Sequence, residues 1–436
     1  MVIGRSKSFA TMPPSGRTRF SNMTRVRLSG VLLVALGATG VGFGLHLYAQ
    51  RGAFEVVWER YLEIGVDRSI VRSQAGGYAL LAHGSLVRIG ESGSELWRKP
   101  ATGWALLETR DRGFIVAGAA HSQPQGRREG VEQERLPHPT AIAKYASSGD
   151  LLWTKRFPEI VAGEAAMFLR GSATQDGFVL VGYRAKVAER DAQGYVKRWD
   201  PAGSWVAAFD NDGELRWETL LTLEGQLGSP LEHVPTAPIE AIDGSILFSI
   251  ATSDLARGRQ AFAWGVNLFK ISDAGRRITR QLIEQCAVPS LLPLDTGLLL
   301  VCQARSTTGA FLHTIRAIEF DKNLGRVSER QIEYAGALKK AIASEELIFL
   351  VGTANRDAPL RPKWGPWIVR LDPSLRPISE VRLVSSATTS KAVDATNGPG
   401  GDVVVLWYGA RLAEKTVDGY QMPVWLDAVV KLRVEE

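Results

Sequence analysis

Seven short, continuous apolar runs recur along the chain: GYALLAH at 77–83, GFIVAG at 113–118, GFVLVG at 177–182, GSILFS at 244–249, GLLLVC at 297–302, LIFLVG at 347–352 and GDVVVLW at 401–407. Each is too short for a helix that would bury it and is bounded by turn residues, the pattern of a strand buried on both faces. A loop of variable length follows each run. After the loop comes a strand that alternates apolar and polar positions: SLVRIG, AIAKYA, WVAAFD, VNLFKI, RAIEFD, WIVRLD and DAVVKL. A tight polar turn then leads into a further strand, whose clearest copies carry Trp97, Trp153 and Trp217. One more strand precedes each run, as in SIVRS at 69–73 and WALLET at 104–109.

Four antiparallel strands repeated at intervals of about fifty residues describe the blades of a propeller. The expected fold is all-β, a seven-bladed β-propeller over residues 54–436. The chain ends at VVKLRVEE, before a seventh tryptophan strand can form, while FEVVWERYLEI at 54–64 carries Trp58 before any blade has begun. That N-terminal strand is expected to serve as the outer strand of the last blade, leaving no unpaired edge. Trp58, Trp97, Trp153 and Trp217 are expected to pack between neighbouring blades, with Ile278, Val327 and Ile378 taking the same place elsewhere.

Charge separates the N-terminus from the rest. The chain has a net charge of +6, yet residues 1–51 alone hold seven basic residues and no acid, so the body is close to neutral. A near-neutral body gives no general electrostatic reason to bind nucleic acid. Residues 1–27 form a basic n-region, and 28–49 an apolar segment without charge, either a cleaved secretory signal or an uncleaved transmembrane anchor. Both alternatives export the propeller, to the periplasm with an inner-membrane anchor or as a secreted protein. Cys286 and Cys302 suit that compartment. They flank an LDTG turn that brings them roughly opposite one another, which predicts a disulfide; two small buried residues in adjacent strands are the alternative.

Candidate chemistry lies in the loops between the second and third strand of each blade, which share one face. Arg184, Arg305, Arg356 and Arg411 each fall just past an apolar strand, with His121 at a similar place and Arg257 somewhat later. Tyr195, Trp199, Trp364 and Tyr420 accompany them. Guanidinium groups with aromatic neighbours suit an anionic or sugar-like ligand, and local acids such as Glu189 and Asp191 supply the alternative of a solvated surface. No histidine or cysteine spacing for a metal, no P-loop and no GxSxG elbow occurs, and no cofactor is predicted.

The copies AIAKYASSGDLLWTK and WVAAFDNDGELRWET, with the preceding GF-V-G strands, resemble the bacterial PQQ-like propeller repeats of quinoprotein dehydrogenases and outer-membrane assembly lipoproteins. The resemblance implies the fold. It departs from the dehydrogenases, which use eight blades, adjacent cysteines and a Ca²⁺ site, and from the lipoproteins, which are anchored through a lipidated cysteine. The expected function is therefore an exported binding or assembly module that recognises an envelope protein or an anionic polysaccharide through the loop face. A quinoprotein-like oxidoreductase or a carbohydrate-active hydrolase, with a site at the channel mouth, is the alternative.

Overall fold

The computed structural model describes residues 46–50, 54–62, 69–82, 84–119, 140–156, 164–190, 196–222, 235–254, 263–272, 274–306, 311–334, 336–344, 347–355, 364–384, 391–417 and 420–434. These residues form a seven-bladed, all-β propeller. The chain enters through β1 (His46–Gln50) and β2 (Phe54–Leu62). Blade 1 is β3 (Ser69–Arg72), β4 (Tyr78–Ala82), β5 (Ser85–Ile89) and β6 (Glu95–Pro100); blade 2 is β7 (Ala105–Glu108), β8 (Phe114–Ala119), β9 (Thr140–Tyr145) and β10 (Leu151–Arg156). Blade 3 is β11 (Glu164–Thr174), β12 (Gly177–Arg190), β13 (Val196–Phe209) and β14 (Leu215–Leu221). Blade 4 is β15 (Ile239–Glu240), β16 (Ile246–Asp254), β17 (Ala263–Ser272) and β18 (Arg277–Glu284); blade 5 is β19 (Cys286–Leu294), β20 (Gly297–Arg305), β21 (Phe311–Asp321) and β22 (Arg326–Glu333). Blade 6 is β23 (Gly336–Ser344), β24 (Leu347–Asn355), β25 (Trp364–Leu371) and β26 (Pro377–Val384); blade 7 is β27 (Lys391–Asn397), β28 (Val403–Val417) and β29 (Tyr420–Val434). Every sheet is antiparallel in chain order, and β2 pairs with β29 from Phe54↔Val434 to Leu62↔Asp427.

The apolar runs are the second strands, and they are buried on both faces because each blade is covered by two neighbours. Seven apolar clusters result, one at each junction. Phe168, Phe178 and Trp205 with Ala105 and Ile115 join blades 2 and 3, and Ile70, Leu80 and Val87 with Val404 and Val429 join blade 1 to blade 7. Such interiors depend on close packing, each fully buried large side chain contributing about 1.5 to 3 kcal/mol.

The recurrent tryptophan lies on the turn of the next blade. Trp58 covers Gly93, Trp97 covers Gly149, Trp153 covers Gly213 and Trp217 covers Gly275. A Cβ on Gly93 would lie 2.7 Å from Trp58, one on Gly149 2.9 Å from Trp97 and one on Gly275 2.8 Å from Trp217, so the indole requires glycine beneath it. Two indoles also donate to the turn they cover: Trp58 Nε1 to Glu91 O at 2.7 Å and Trp97 Nε1 to Ser147 O at 3.1 Å. In blades 5 and 6 the turn position belongs to Leu324 (φ 67°) and Leu375 (φ 62°), in the left-handed region that a bulky residue rarely adopts. Facing them are Thr279 and Ser328, four residues after Gly275 and Leu324 as the tryptophans are after their glycines. Leu324 is buried, so the leucine fills from the turn side part of the space an indole fills elsewhere. Ile278, Val327 and Ile378 do not take the tryptophan's place. They are one residue out of register and largely exposed, because a shift of one in a strand turns the side chain to the opposite face.

A second contact repeats beside the first. The third-strand lysine cross-strand from the tryptophan position reaches both the inner turn of its own blade and the outer turn of the next. Lys144 Nζ donates to Asp111 Oδ2 at 2.6 Å and Asn211 O at 3.1 Å, and Lys270 Nζ to Asp243 Oδ2 at 2.8 Å and Lys322 O at 2.7 Å. Lys431 Nζ meets Asp402 Oδ2 at 2.9 Å and Glu91 Oε2 at 3.3 Å. These amines are mostly shielded from water, and a buried ammonium has to be met by several acceptors.

The N-terminal apolar segment differs from expectation at its end. Residues 46–49 belong to β1, which pairs with β26 from His46↔Val384 to Gln50↔Glu380 and makes blade 6 five-stranded. An extended segment alongside an edge strand satisfies its backbone groups in the ladder, not in a helix. The rest of the segment and the basic n-region lie outside the described residues, among which no helix is long and apolar enough to cross a membrane.

The repeated contacts generate two expected outcomes. Gly213→Ala should lose about 2 to 4 kcal/mol of stability, combining left-handed strain with collision against Trp153. Gly244→Ala, at φ 73° with nothing within 4 Å, should lose only about 1 kcal/mol. Denaturant unfolding checks this, and in a Trp153→Ala background the two glycine substitutions should cost the same. The second outcome concerns acid. Hydrogen bonds from Lys270 and Ser245 hold the Asp243 carboxyl down at about 2, against an ordinary 3.8. A depressed carboxylate contributes stability that is complete above its unfolded value and lost as pH falls through the folded one. The melting temperatures of the wild type and Lys270→Gln should therefore converge as pH falls from about 5 to about 2; a constant gap would remove the lysine latch from acid stability.

Candidate functional site

Of the predicted arginine ring, the described side chains are those of Arg184 and Arg305. His121, Arg257 and Arg356 lie outside the described residues. Arg184 stacks over Trp205 at 4.3 Å from the ring centroid and donates to Glu218 Oε2 at 2.9 Å. Its charge is met within blade 3, on the flank of the sheet. Trp199 stands in β13 opposite Val187, Arg411 in β28 opposite Leu426 and Trp364 in β25 opposite Asn355. The stretches around Trp199 and Arg411, expected as irregular loops, are hairpin extensions of blades 3 and 7. Cys286 and Cys302 are joined by a disulfide with Cα atoms 5.7 Å apart, linking the first two strands of blade 5.

Among the predicted residues whose side chains are described, Arg305 lines a cavity. A cleft of about 560 Å³ runs along the junction of blades 4 and 5, lined by Arg305, Arg316 and Arg326 with Glu284, Glu329 and Gln281. A second groove, of about 520 Å³, lies at the junction of blades 5 and 6 beside Leu375 and Arg330. Both lie at junctions where the outer-strand position of the tryptophan holds Thr279 or Ser328. Arg316 occupies the slot that holds Trp205 in blade 3 and Trp367 in blade 6. In all three blades a glutamate thirteen residues on is the partner: Trp205 Nε1 donates to Glu218 at 2.8 Å, Trp367 Nε1 to Glu380 at 3.2 Å and Arg316 Nε to Glu329 at 2.8 Å. Hydrogen bonding from Arg316 depresses the Glu329 carboxyl, and Arg326 binds the same group. Burial draws the Arg305 guanidinium down to about 10, a charge kept in place against desolvation at the wall of the cleft, toward its loop-face end.

The axis is lined by the first strands, and it is polar. Their inner edges carry β-bulges in blades 3, 6 and 7, where the register shifts between Phe168 and Arg170, Leu338 and Lys340, and Ala392 and Asp394. Arg170, Lys340 and Asp394 hence hold equivalent places, the first paired residue past each bulge. Asp394 is the acid among them. Its Oδ1 accepts from Lys340 Nζ at 2.7 Å and Ala395 N at 2.9 Å, and its Oδ2 from Ile70 N at 3.1 Å. Despite desolvation, the Lys340 and Arg170 charges leave its carboxyl below the ordinary range. Among the described residues no group of three His, Cys, Asp or Glu side chains could hold a metal ion.

Sequence reasoning passed over Arg316, Arg170 and Lys339. Arg316 could have been found by aligning the blades, since it interrupts a tryptophan slot. The axial residues carried no local signal, because their proximity comes from blades far apart in the chain.

No protein-family profile matches the chain, and no curated protein sequence does. Solved structures do resemble it. A protein of unknown function from Bacteroides caccae shares 16% identity over 66% of this chain and 94% of its own, with a TM-score of 0.35. An apocarotenoid oxygenase of Synechocystis shares 14% identity over 72% of this chain and 71% of its own, at a TM-score of 0.44. A lignostilbene dioxygenase of Pseudomonas brassicacearum shares 11% identity over 72% of both chains, at 0.42. Likeness at this level carries nothing about chemistry.

Proposed function

We propose that the protein is an exported recognition module of the cell envelope, held by its N-terminal apolar segment or released from it, that binds an anionic partner, an envelope protein or a polysaccharide, through the loop face. The observation that supports this reading is the cleft between blades 4 and 5, where Arg305, Arg316 and Arg326 line an open cavity. Guanidinium groups bind carboxylate and phosphate with two parallel hydrogen bonds, and a partly desolvated one binds more strongly. The basic n-region before an apolar run supports export; cell fractionation that leaves the chain in the cytoplasm would end that part of the reading. We also assign β2 the role of closing strand, supported by its pairing with β29 and by Trp58 on Gly93.

The full chain is expected to bind polygalacturonate, a polycarboxylate, in buffer of low ionic strength. Arg305→Gln should weaken that affinity about tenfold, near the worth of one charge-assisted hydrogen bond, while Arg184→Gln, already met by Glu218, stays within about twofold. Equal affinities for all three proteins would remove the cleft from the recognition surface. For the closing strand, Trp58→Ala should lower the unfolding free energy by about 2 to 4 kcal/mol, against less than about 0.5 kcal/mol for the exposed Leu96→Ala. Matching losses would show that β2 is an appendage.

A further inference from the structure

We infer that the propeller axis holds a multivalent oxyanion, a phosphoryl or sulfate group, gripped by Arg170 of blade 3, Lys339 of blade 6 and Lys391 of blade 7. Lys339 is the extra residue of the bulge in β23, between the paired Leu338 and Lys340. Bulges re-aim a side chain out of the ladder; the equivalent Val393 of blade 7 packs on the junction with blade 1, whereas Lys339 is exposed on the innermost strand, which borders the axis. Its side chain stays accessible to solvent although protein surrounds it on most sides, the condition of a group in a water-filled channel. The charged groups that act on it are Arg170, Lys340, Lys391 and, as the sole acid among the described residues, Asp394. Burial and then the Arg170 charge pull the Lys339 ammonium below its ordinary value.

Among the described residues the charge does not balance. Both Asp394 oxygens are occupied, and Lys340 is the amine bonded to it. Lys391 has an aromatic partner, its Nζ 5.6 Å from the centroid of Tyr408, and Arg170 Nη1 donates to Leu169 O at 2.9 Å, but neither contact brings negative charge. Three cations from three blades thus converge on one axis, a repulsive arrangement unless an anion sits among them. A planar carboxylate offers its two oxygens to one side. A tetrahedral dianion offers acceptors in several directions at once, which fits cations arriving from opposite sides of a ring.

The test uses the full chain, with thermal unfolding and calorimetric titration in inorganic phosphate, sulfate, glycerol 3-phosphate or chloride at equal ionic strength. The wild type should be stabilised by phosphate, sulfate or the phosphomonoester and not by chloride, and tighter binding of the ester than of the free ion would assign the group to a phosphorylated ligand. Lys339→Gln should weaken binding at least about tenfold and, with repulsion relieved, melt higher than wild type when no oxyanion is present. Lys391→Gln should show the same loss, which keeps the test intact should the first variant fail to fold. Arg184→Gln, whose charge is met by Glu218, should leave oxyanion binding unchanged, and a loss confined to the lysine variants assigns the oxyanion to the axis and not to the cleft. The inference is overturned if chloride matches the oxyanions, if the lysine variants bind as wild type does, or if Lys339→Gln melts lower in their absence.

Discussion

An indole lying flat on a glycine turn sets the spacing between blades. The contact is possible only because the turn residue has no side chain, and where the glycine is present the tryptophan is too, at the junctions running from blade 7 to blade 4. Where one partner is lost both are: Thr279 faces Leu324, and Ser328 faces Leu375. The leucine replaces part of the lost volume at the cost of a left-handed backbone, about 1 to 2 kcal/mol for a residue with a Cβ. The two grooves of blades 4 to 6 lie at these same junctions.

The polar groups obey a different constraint. Each inner strand presents an unpaired edge to the axis, and a bulge frees further backbone groups there. Side chains of the preceding blade take these up: Ser290 Oγ accepts from Ala341 N at 2.9 Å, and Asp394 from Ile70 N. At the hairpin face the last residue of a first strand caps the turn of the blade before it, as Glu108 does for Gln74 N at 2.7 Å and Glu240 for Gln175 N at 2.7 Å. Apolar packing holds the blade faces together, while charged and hydroxyl groups hold the two ends and the axis.

That division explains what was legible in the sequence. Blade number and strand order follow from apolar periodicity, which a double-faced burial imposes on every second strand. The tryptophans were visible because their turn glycines recur at a fixed offset. Ile278, Val327 and Ile378 were misplaced because a hydrophobic residue near the expected position was accepted without its period-two phase, and Thr279 and Ser328 gave no apolar cue. Of the arginines at similar distances past each strand, the two whose side chains are described take different flanks, Arg184 turning to Trp205 and Arg305 to the cleft. The axial cations were illegible for a different reason: only closure of the ring brings blade 3 opposite blades 6 and 7.

The disulfide sits in the weaker sector of the ring. Blade 5 is flanked on both sides by junctions without the indole lock, and it is the blade that Cys286 and Cys302 cross-link, through its first two strands. Removing a buried tryptophan costs about 3 to 5 kcal/mol. A cross-link closing a loop of sixteen residues in sequence restrains the unfolded chain by about 3 kcal/mol. The cross-link thus offsets the loss at about one of the two junctions, in the blade that has a cleft on each side. A reducing compartment would remove that cross-link, so the stability of the blade that forms the cleft wall depends on its redox surroundings.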